Sequence, residues 1–229
     1  MEIDFEKLAG KEDGERLARL AEIVETKLAN ASGCHDWGHT ERVLKNAIAI
    51  AAEDSDGRNA DMALVAAAAL LHDIARPEEF ESNGAVCHAE LGSEIAPGVA
   101  REAGFDDSDF LERLSSCVLR HRYRGKHGPP ATIEEKIVFD ADKLDSLGAI
   151  GVARAIHFSG KIGSKLHNTE REALQSSAYG EGDSALREYL VKMRFIPDRM
   201  TTKAGKRLAD ERLEFTKVFF EQLDRETFV

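Results

Sequence analysis

The sequence has few of the features that stabilise secreted and membrane proteins. Three cysteines occur in 229 residues, an odd number at wide spacings, which argues against a disulfide framework. The longest uninterrupted apolar run, Met62–Leu71, is about half of the roughly 20 residues that cross a bilayer. The charged N-terminal segment lacks the apolar core of a signal peptide. We therefore expect a soluble, cytoplasmic protein that does not interact with membranes.

Basic side chains are also in the minority. The 31 lysines and arginines are outnumbered by 42 aspartates and glutamates, which gives a formal net charge of −11. Such a surface repels phosphate backbones, so we expect a small-molecule nucleotide or phosphate substrate and no nucleic-acid polymer. The dense basic run at residues 120–127 either draws a polyphosphate towards a cleft or is a solvated loop.

Proline and glycine, with 5 and 18 residues, rarely interrupt the apolar-periodic stretches, and no long stretch alternates with the period of a β-strand. We predict an all-α, single-domain helical bundle of about eight or nine helices over residues 1–229. Its core is expected at about 30–160, with C-terminal helices at 184–225 packed on it. The predicted helices lie at about 5–29, 37–53, 60–74, 89–103, 108–121, 132–144, 147–158, 184–195 and 203–225. Loops are predicted at 76–86, 122–131 and 159–183.

A polar His-Asp pair lies at the C-terminal end of the most apolar of these helices. His72 and Asp73 follow two leucines, and burying a carboxylate there costs several kcal/mol unless it is paired or bound to a metal. Alone, the pair also has a structural interpretation, in which His72 caps the helix and Asp73 bonds a neighbouring helix. A metal site requires further ligands from elsewhere in the chain.

Two other segments supply such ligands. His39 and Asp142 each lie in the first or last turn of a predicted helix, beside core-type residues. Together with His72 and Asp73 they form a set of two imidazoles and two carboxylates. This set suits one divalent ion such as Mn, Fe, Ni, Co, Zn or Mg and leaves positions open for water. A partly buried histidine and a solvated acidic face are the structural alternatives, but the three segments together favour a metal.

These residues follow the pattern of the HD-domain superfamily of metal-dependent phosphohydrolases, which is a histidine, then a His-Asp pair, then a distant aspartate. The chain most resembles the small stand-alone HD hydrolases related to bacterial nucleotide pyrophosphohydrolases. Their HDxxHxxRV opening is matched at His35–Val43, and their DAD(R/K)LDxxGAIGxAR stretch at Asp140–Arg154. A T-x-x-G-x-x-x-A-x-x-R pattern follows at 202–212, and the resemblance spans about residues 15–225. It implies a helical bundle with a divalent ion held by His39, His72, Asp73 and Asp142.

The sequence departs from one HD pattern directly after the His-Asp pair. Some HD enzymes continue as HDxxED, whereas Ile74–Pro77 follows here without an acid, so a general base has to come from elsewhere. We assign catalytic roles to His88, His121 and Asp145. A satisfied or exposed histidine is the alternative for the first two, and Asp145 alternatively braces Lys143.

Cationic side chains near the motifs are candidates for substrate binding. Arg42 and Lys143 suit phosphate oxygens, which favour fixed cations, and ion pairs on the helix surface are their alternative. His35, the first residue of the opening motif, is assigned to the same role.

The number of ions is the least determined feature of the site. Arg122, and not a second histidine, follows His121, so one ion is favoured and a second remains open. A thiolate zinc site built on Cys34, Cys87 and Cys117 is a weaker alternative because no CxxC spacing occurs.

The ligand set and the resemblance together predict an enzyme that hydrolyses a phosphate anhydride or ester. The resemblance favours hydrolysis of a nucleoside triphosphate to the monophosphate and pyrophosphate. A phosphomonoesterase or a cyclic-nucleotide phosphodiesterase on the same metal is one alternative. A catalytically silent nucleotide-sensing module is another, because the HDxxED acid is missing. Both a monomer and a homodimer fit the sequence.

Overall fold

The computed structural model describes residues 3–29, 35–122 and 127–228. Within these ranges every regular element is a helix, which confirms the all-α prediction. The described residues form twelve α-helices, of which the longer ones lie close to the predicted positions. They are α1 (Phe5–Ala9), α2 (Lys11–Leu28), α3 (Trp37–Glu53), α4 (Met62–Leu71), α5 (Arg76–Glu81), α6 (His88–Glu102), α7 (Ser108–Arg120), α8 (Ile133–Leu144), α9 (Gly148–Lys161), α10 (Glu170–Gln175), α11 (Ala185–Val191) and α12 (Lys203–Thr227). Short 3-10 turns lie at Gly57–Asn59, Met193–Phe195 and Pro197–Arg199.

The first predicted helix is divided in two at Gly10. Its φ of +81° is in the left-handed region, so α1 ends and α2 begins there. The two helices pack closely, because a Cβ atom at Gly14 would lie 2.6 Å from the Cα of Glu6. Periodicity alone did not show this break.

Two short helices occupy segments predicted as loops. Pro77 lies in the first turn of α5, where its missing N–H costs nothing. Thr169 and Glu172 form a reciprocal capping box at the start of α10. Each helix has six residues. Such a length is too short for an apolar stripe to be recognised.

The chain forms two compact units, Met1–Asp142 and Lys143–Val229. In the first unit, α4 is buried on every side except at Met62 and packs against α2, α3 and α7. A helix that is apolar all round belongs in a core, as the sequence predicted. Because α4 ends in the interior, the His72-Asp73 pair at its end is buried too.

In the second unit, α9 packs against α11 and α12. The backbone N–H of Gly148 donates to Thr216 Oγ1 at 2.9 Å, and the ring of Tyr189 stacks on Phe220. The single domain over residues 1–229 stays a prediction. No helix in the described part of the chain has both the length and the apolar character needed to span a membrane.

Candidate metal centre

The ends of three helices carry the predicted ligands. Asp36 is the N-cap of α3, and its carboxylate accepts a hydrogen bond of 2.9 Å from the backbone N–H of His39. This cap holds His39 in the first turn of α3. His72 and Asp73 follow the last residue of α4, and Asp142 lies in the last turn of α8. All of these residues belong to the unit Met1–Asp142.

The structure brings the four predicted ligands together. The Nε2 atom of His39 lies 3.2 Å from His72 Nε2, 3.5 Å from Asp73 Oδ2 and 3.5 Å from Asp142 Oδ1. His72 Nε2 lies 3.6 Å from Asp73 Oδ2. Two donor atoms that each lie about 2.1 Å from one ion are themselves about 3 to 3.5 Å apart. The spacings around His39 are of this size, and the donor atoms of His39, His72 and Asp142 lie within 4.8 Å of one another.

His35 joins this group. Its Nδ1 lies 2.7 Å from Asp73 Oδ2, and its ring meets the ring of His39 edge to face. Burial lowers the pKa of His35, and the adjacent Asp73 carboxylate opposes that shift. The residue assigned from the sequence to substrate binding thus contacts two of the metal-ligand candidates.

Two further histidines approach the opposite oxygen of Asp73. His88 Nε2 lies 3.3 Å and His121 Nε2 3.7 Å from Asp73 Oδ1, and the two nitrogens are 3.1 Å apart. His88 begins α6 and His121 follows α7. The histidine pair that the sequence appeared to lack is therefore formed by two helices.

Hydrogen bonds to backbone carbonyls determine which imidazole nitrogens can bind a metal. His72 Nδ1 donates to the carbonyl of Ala69 at 2.8 Å, and His121 Nδ1 donates to the carbonyl of Val118. Because a carbonyl only accepts, Nδ1 carries the proton and Nε2 presents its lone pair to the cluster. Burial lowers the pKa of His72, and it lowers the pKa of His121 well below its usual value. Both shifts favour the neutral imidazole, which is the form that binds metals.

The Asp73 carboxylate faces one group of histidines with each of its two oxygens. Burial opposes its ionisation, but the neighbouring His72, His35 and Arg76 outweigh this cost and hold the pKa of Asp73 well below its usual range. Its Oδ1 atom is buried and has no hydrogen-bond partner. A buried anionic oxygen without a donor is costly. The donor set and this oxygen therefore fit a divalent cation.

Sequence analysis missed a carboxylate and two guanidinium groups beside this cluster. Glu79 Oε2 lies 2.8 Å from His88 Nδ1, and the same carboxylate binds Arg76 and Arg122. Burial raises the pKa of Glu79, but the bond from Arg122 and the nearby His88 and Arg76 bring it down to about 2. The sequence Arg-Pro-Glu-Glu at 76–79 carried a signal, since proline followed by acids is typical of a first helical turn.

Asp145, Lys143 and Arg42 are the remaining predicted site residues. Asp145 is buried and forms an ion pair with Arg154, whose NH1 donates to Asp145 Oδ2 at 2.7 Å and to the Asp145 carbonyl at 3.1 Å. Lys143 is half-buried and, like Asp145, belongs to the unit Lys143–Val229. Arg42 lies on α3, and its NH1 is 3.3 Å from the position that a Cβ of Gly38 would occupy.

The glycine-containing half of the DAD(R/K)LDxxGAIGxAR stretch has a structural role. Gly148 has a φ of +68°, and a Cβ at Gly151 would lie 2.3 Å from the carbonyl carbon of Ser146. Arg212, the last residue of the T-x-x-G-x-x-x-A-x-x-R pattern, donates to the carbonyl of Leu144 at 2.8 Å. Thr202, its first residue, caps α12. These residues support the turn after α8.

The remaining sequence interpretations concern cysteines and the basic run. Cys117 is buried, and burial raises the pKa of its thiol, which disfavours a zinc thiolate. Cys87 is a free, half-buried thiol, and Cys34 lies outside the described residues. Residues 123–126 of the basic run also lie outside them.

Comparison with known proteins agrees with this geometry. Residues 36–147 match the HD domain. YpgQ of Bacillus subtilis (strain 168) is 32% identical over 207 residues, which are 89% of each chain. The crystal structure of a predicted HD superfamily hydrolase from an uncultured Thermotogales bacterium has 28% identity and a TM-score of 0.64 over 92% of each chain. The crystal structure of B. subtilis YpgQ in complex with ADP has 26% identity and a TM-score of 0.67 over 94% of this chain and 97% of that one.

A buried histidine–aspartate cluster in an all-helical protein with these relatives defines a metal-dependent phosphohydrolase. The chain belongs to the HD-domain family.

Proposed function

We propose that this protein hydrolyses a nucleoside triphosphate to the monophosphate and pyrophosphate. The observation that carries the proposal is the set of imidazole nitrogens around the two oxygens of Asp73, beside two arginines. With a divalent ion bound, a centre of this kind would suit a polyphosphate. The ADP in the complex of B. subtilis YpgQ supports a nucleotide ligand.

We propose His39, His72, Asp73 and Asp142 as the ligands of the first ion. Their donor atoms are imidazole nitrogen and carboxylate oxygen, which suit Mn, Fe, Co, Ni or Zn. Asp73 Oδ1, His88 and His121 form a second donor set, so we propose that a second ion binds there. Asp73 would contribute one carboxylate oxygen to each donor set.

A divalent ion held by these residues would lower the pKa of water and neutralise charge on phosphoryl oxygens. The residues of the chain supply orientation. His72 and His121 are held in one tautomer by backbone carbonyls, so their lone pairs need no rearrangement when a ligand arrives. The buried position of the cluster excludes bulk water and strengthens every electrostatic interaction in it.

Residues outside the two donor sets have supporting roles in this proposal. His35 contacts Asp73 and orients that carboxylate. We keep Arg42 and Lys143 as candidates for binding substrate phosphates, whereas the ion pair with Arg154 favours a structural role for Asp145.

A phosphate-release assay tests the function directly. The Mn-loaded protein is incubated with ribo- and deoxynucleoside triphosphates, nucleoside monophosphates and cyclic nucleotides, with and without added inorganic pyrophosphatase. We expect phosphate from triphosphates only when pyrophosphatase is added, and the nucleoside monophosphate as the other product by chromatography.

The other outcomes contradict the proposal in distinct ways. Phosphate without pyrophosphatase from a monophosphate indicates a phosphomonoesterase. A monophosphate formed from a cyclic nucleotide indicates a phosphodiesterase. No product from any substrate, with the metal bound, indicates a sensing module.

A further inference from the structure

A charged cluster of Arg76, Glu79 and Arg122 borders the Oδ1 side of the metal centre. Glu79 Oε2 accepts from Arg76 NH1, and Glu79 Oε1 accepts from Arg122 NH1. Arg76 Nε lies 3.3 Å from Asp73 Oδ1, and Arg122 NH1 lies 2.8 Å from His88 Nδ1. We call these three residues the Arg–Glu–Arg cluster. It touches the metal-ligand candidates without being one of them.

The charge of this region depends on the metal. The three carboxylates of Asp73, Glu79 and Asp142 outnumber the two guanidinium groups of Arg76 and Arg122 by one. One divalent ion makes the net charge positive, and a second ion makes it more so. The loaded site therefore attracts an anion, and the two arginines are the fixed cations at its edge.

Both arginines have hydrogen-bond donors to offer a ligand. A guanidinium carries five N–H groups. Within the described residues, the contacts of Arg122 use NH1 alone, and those of Arg76 use Nε and NH1. Among the described residues no contact uses the Nε–NH2 edge of Arg122, which has the fork geometry that matches two phosphate oxygens. The side chains of Arg76 and Arg122 are 24% and 19% exposed, so a ligand can reach them while much of each group is shielded from water.

We propose that Arg76 and Arg122 bind the outer phosphate groups of the nucleotide, and that Glu79 holds the two guanidinium groups in place when no nucleotide is bound. The inference rests on the proposed nucleotide substrate. It assigns the discrimination of di- and triphosphates from monophosphates to the Arg–Glu–Arg cluster. Glu79 is a positioning residue here, because it acts through the two arginines.

Calorimetric titration with ADP and with AMP at saturating Mn²⁺ tests this assignment. We expect wild type to bind ADP more tightly than AMP. Arg122→Gln and Arg76→Gln should each weaken ADP binding by about tenfold or more, the size expected for a lost charge-assisted hydrogen bond, and should leave AMP binding nearly unchanged. Arg122→Lys keeps the charge but loses the fork, so its ADP affinity should lie between those of wild type and Arg122→Gln.

The variant Glu79→Gln distinguishes phosphate binding by the two arginines from a purely structural role of the cluster. Removing this carboxylate frees both guanidinium groups, so ADP should bind a few times more tightly, opposite in sign to the arginine variants. If the three side chains only brace His88, all of these substitutions should lower Mn content and weaken ADP and AMP alike, which would overturn the proposal. Elemental analysis of each variant measures the Mn content.

The matched control is Arg101→Gln, which removes an exposed arginine from the last turn of α6. It should bind ADP as wild type does. Arginine variants that keep the wild-type preference for ADP would contradict the inference, even if the protein hydrolyses triphosphates. If the wild type hydrolyses no nucleotide but its ADP preference still depends on Arg76 and Arg122, the proposed function fails and the phosphate site stands.

Discussion

Asp73 and Asp145 are almost equally buried, at 2% and 1% exposure, but their surroundings differ. Asp145 meets a fixed cation, since Arg154 donates to its carboxylate and to its backbone carbonyl. Asp73 meets several imidazoles as well as the Arg76 guanidinium, whose Nε lies 3.3 Å from Oδ1 without forming a hydrogen bond to it. Each aspartate lies in its own compact unit of the chain.

The difference shows how a structural carboxylate is distinguished from a ligand. A buried charge that is fully paired within the protein stabilises the fold and requires nothing else. A buried carboxylate that also faces several imidazole nitrogens, and keeps one oxygen without a hydrogen bond, is suited to binding a cation. The sequence ranked Asp145 among the catalytic candidates because it lies three residues after Asp142, whereas its partner Arg154 indicates a structural role.

Replacing Asp73 should have the largest effect on activity. In Asp73→Ala both proposed ions lose a shared ligand, so we expect no Mn by elemental analysis and a loss of activity of roughly a thousandfold or more. Circular dichroism should show that the variant stays helical. Asp56→Ala, which removes an exposed aspartate from the same unit, should behave as wild type. Full Mn content in Asp73→Ala would show that this residue is not a ligand.

Replacing Asp145 should instead lower stability. Asp145→Asn leaves the Arg154 guanidinium without its charged partner, so we expect a loss of about 3 kcal/mol in the free energy of unfolding. For a chain of this size that corresponds to a Tm lower by roughly 6 to 12 °C in a thermal melt. The folded variant should keep its Mn. Loss of Mn at unchanged Tm would reverse the assignments of the two aspartates.

Replacing His121 should have the smallest effect, because His121 belongs to only one of the two proposed donor sets around Asp73. We expect Mn titration to show about two ions per chain in wild type and about one in His121→Gln. The weaker ion should be lost while His39, His72 and Asp142 still hold the other. His157→Gln, an exposed histidine of α9, is the control. A wild-type count of one ion, unchanged in His121→Gln, would return His121 to a structural role.

The sequence predicted the long helices well because their apolar periodicity is strong. The start of α3 and the central, buried α4 followed from such patterns. The break at Gly10 and the six-residue helix α5 did not, because a left-handed φ and a short capped turn leave little periodic signal. Missing α5 also meant missing Glu79, which lies on it.

The sequence by itself determined the all-helical class and the HD-domain resemblance, and it predicted His39, His72, Asp73 and Asp142 as metal ligands. Those follow from local spacing and from the cost of burying a carboxylate at the end of an apolar helix. Only the tertiary structure decided that His88 and His121 meet on one side of Asp73, and that Glu79 binds Arg76 and Arg122 beside them. The physical reason is that hydrogen bonds and metal-ligand geometry depend on distances of a few ångströms between separate helices, which residue spacing along the chain does not specify.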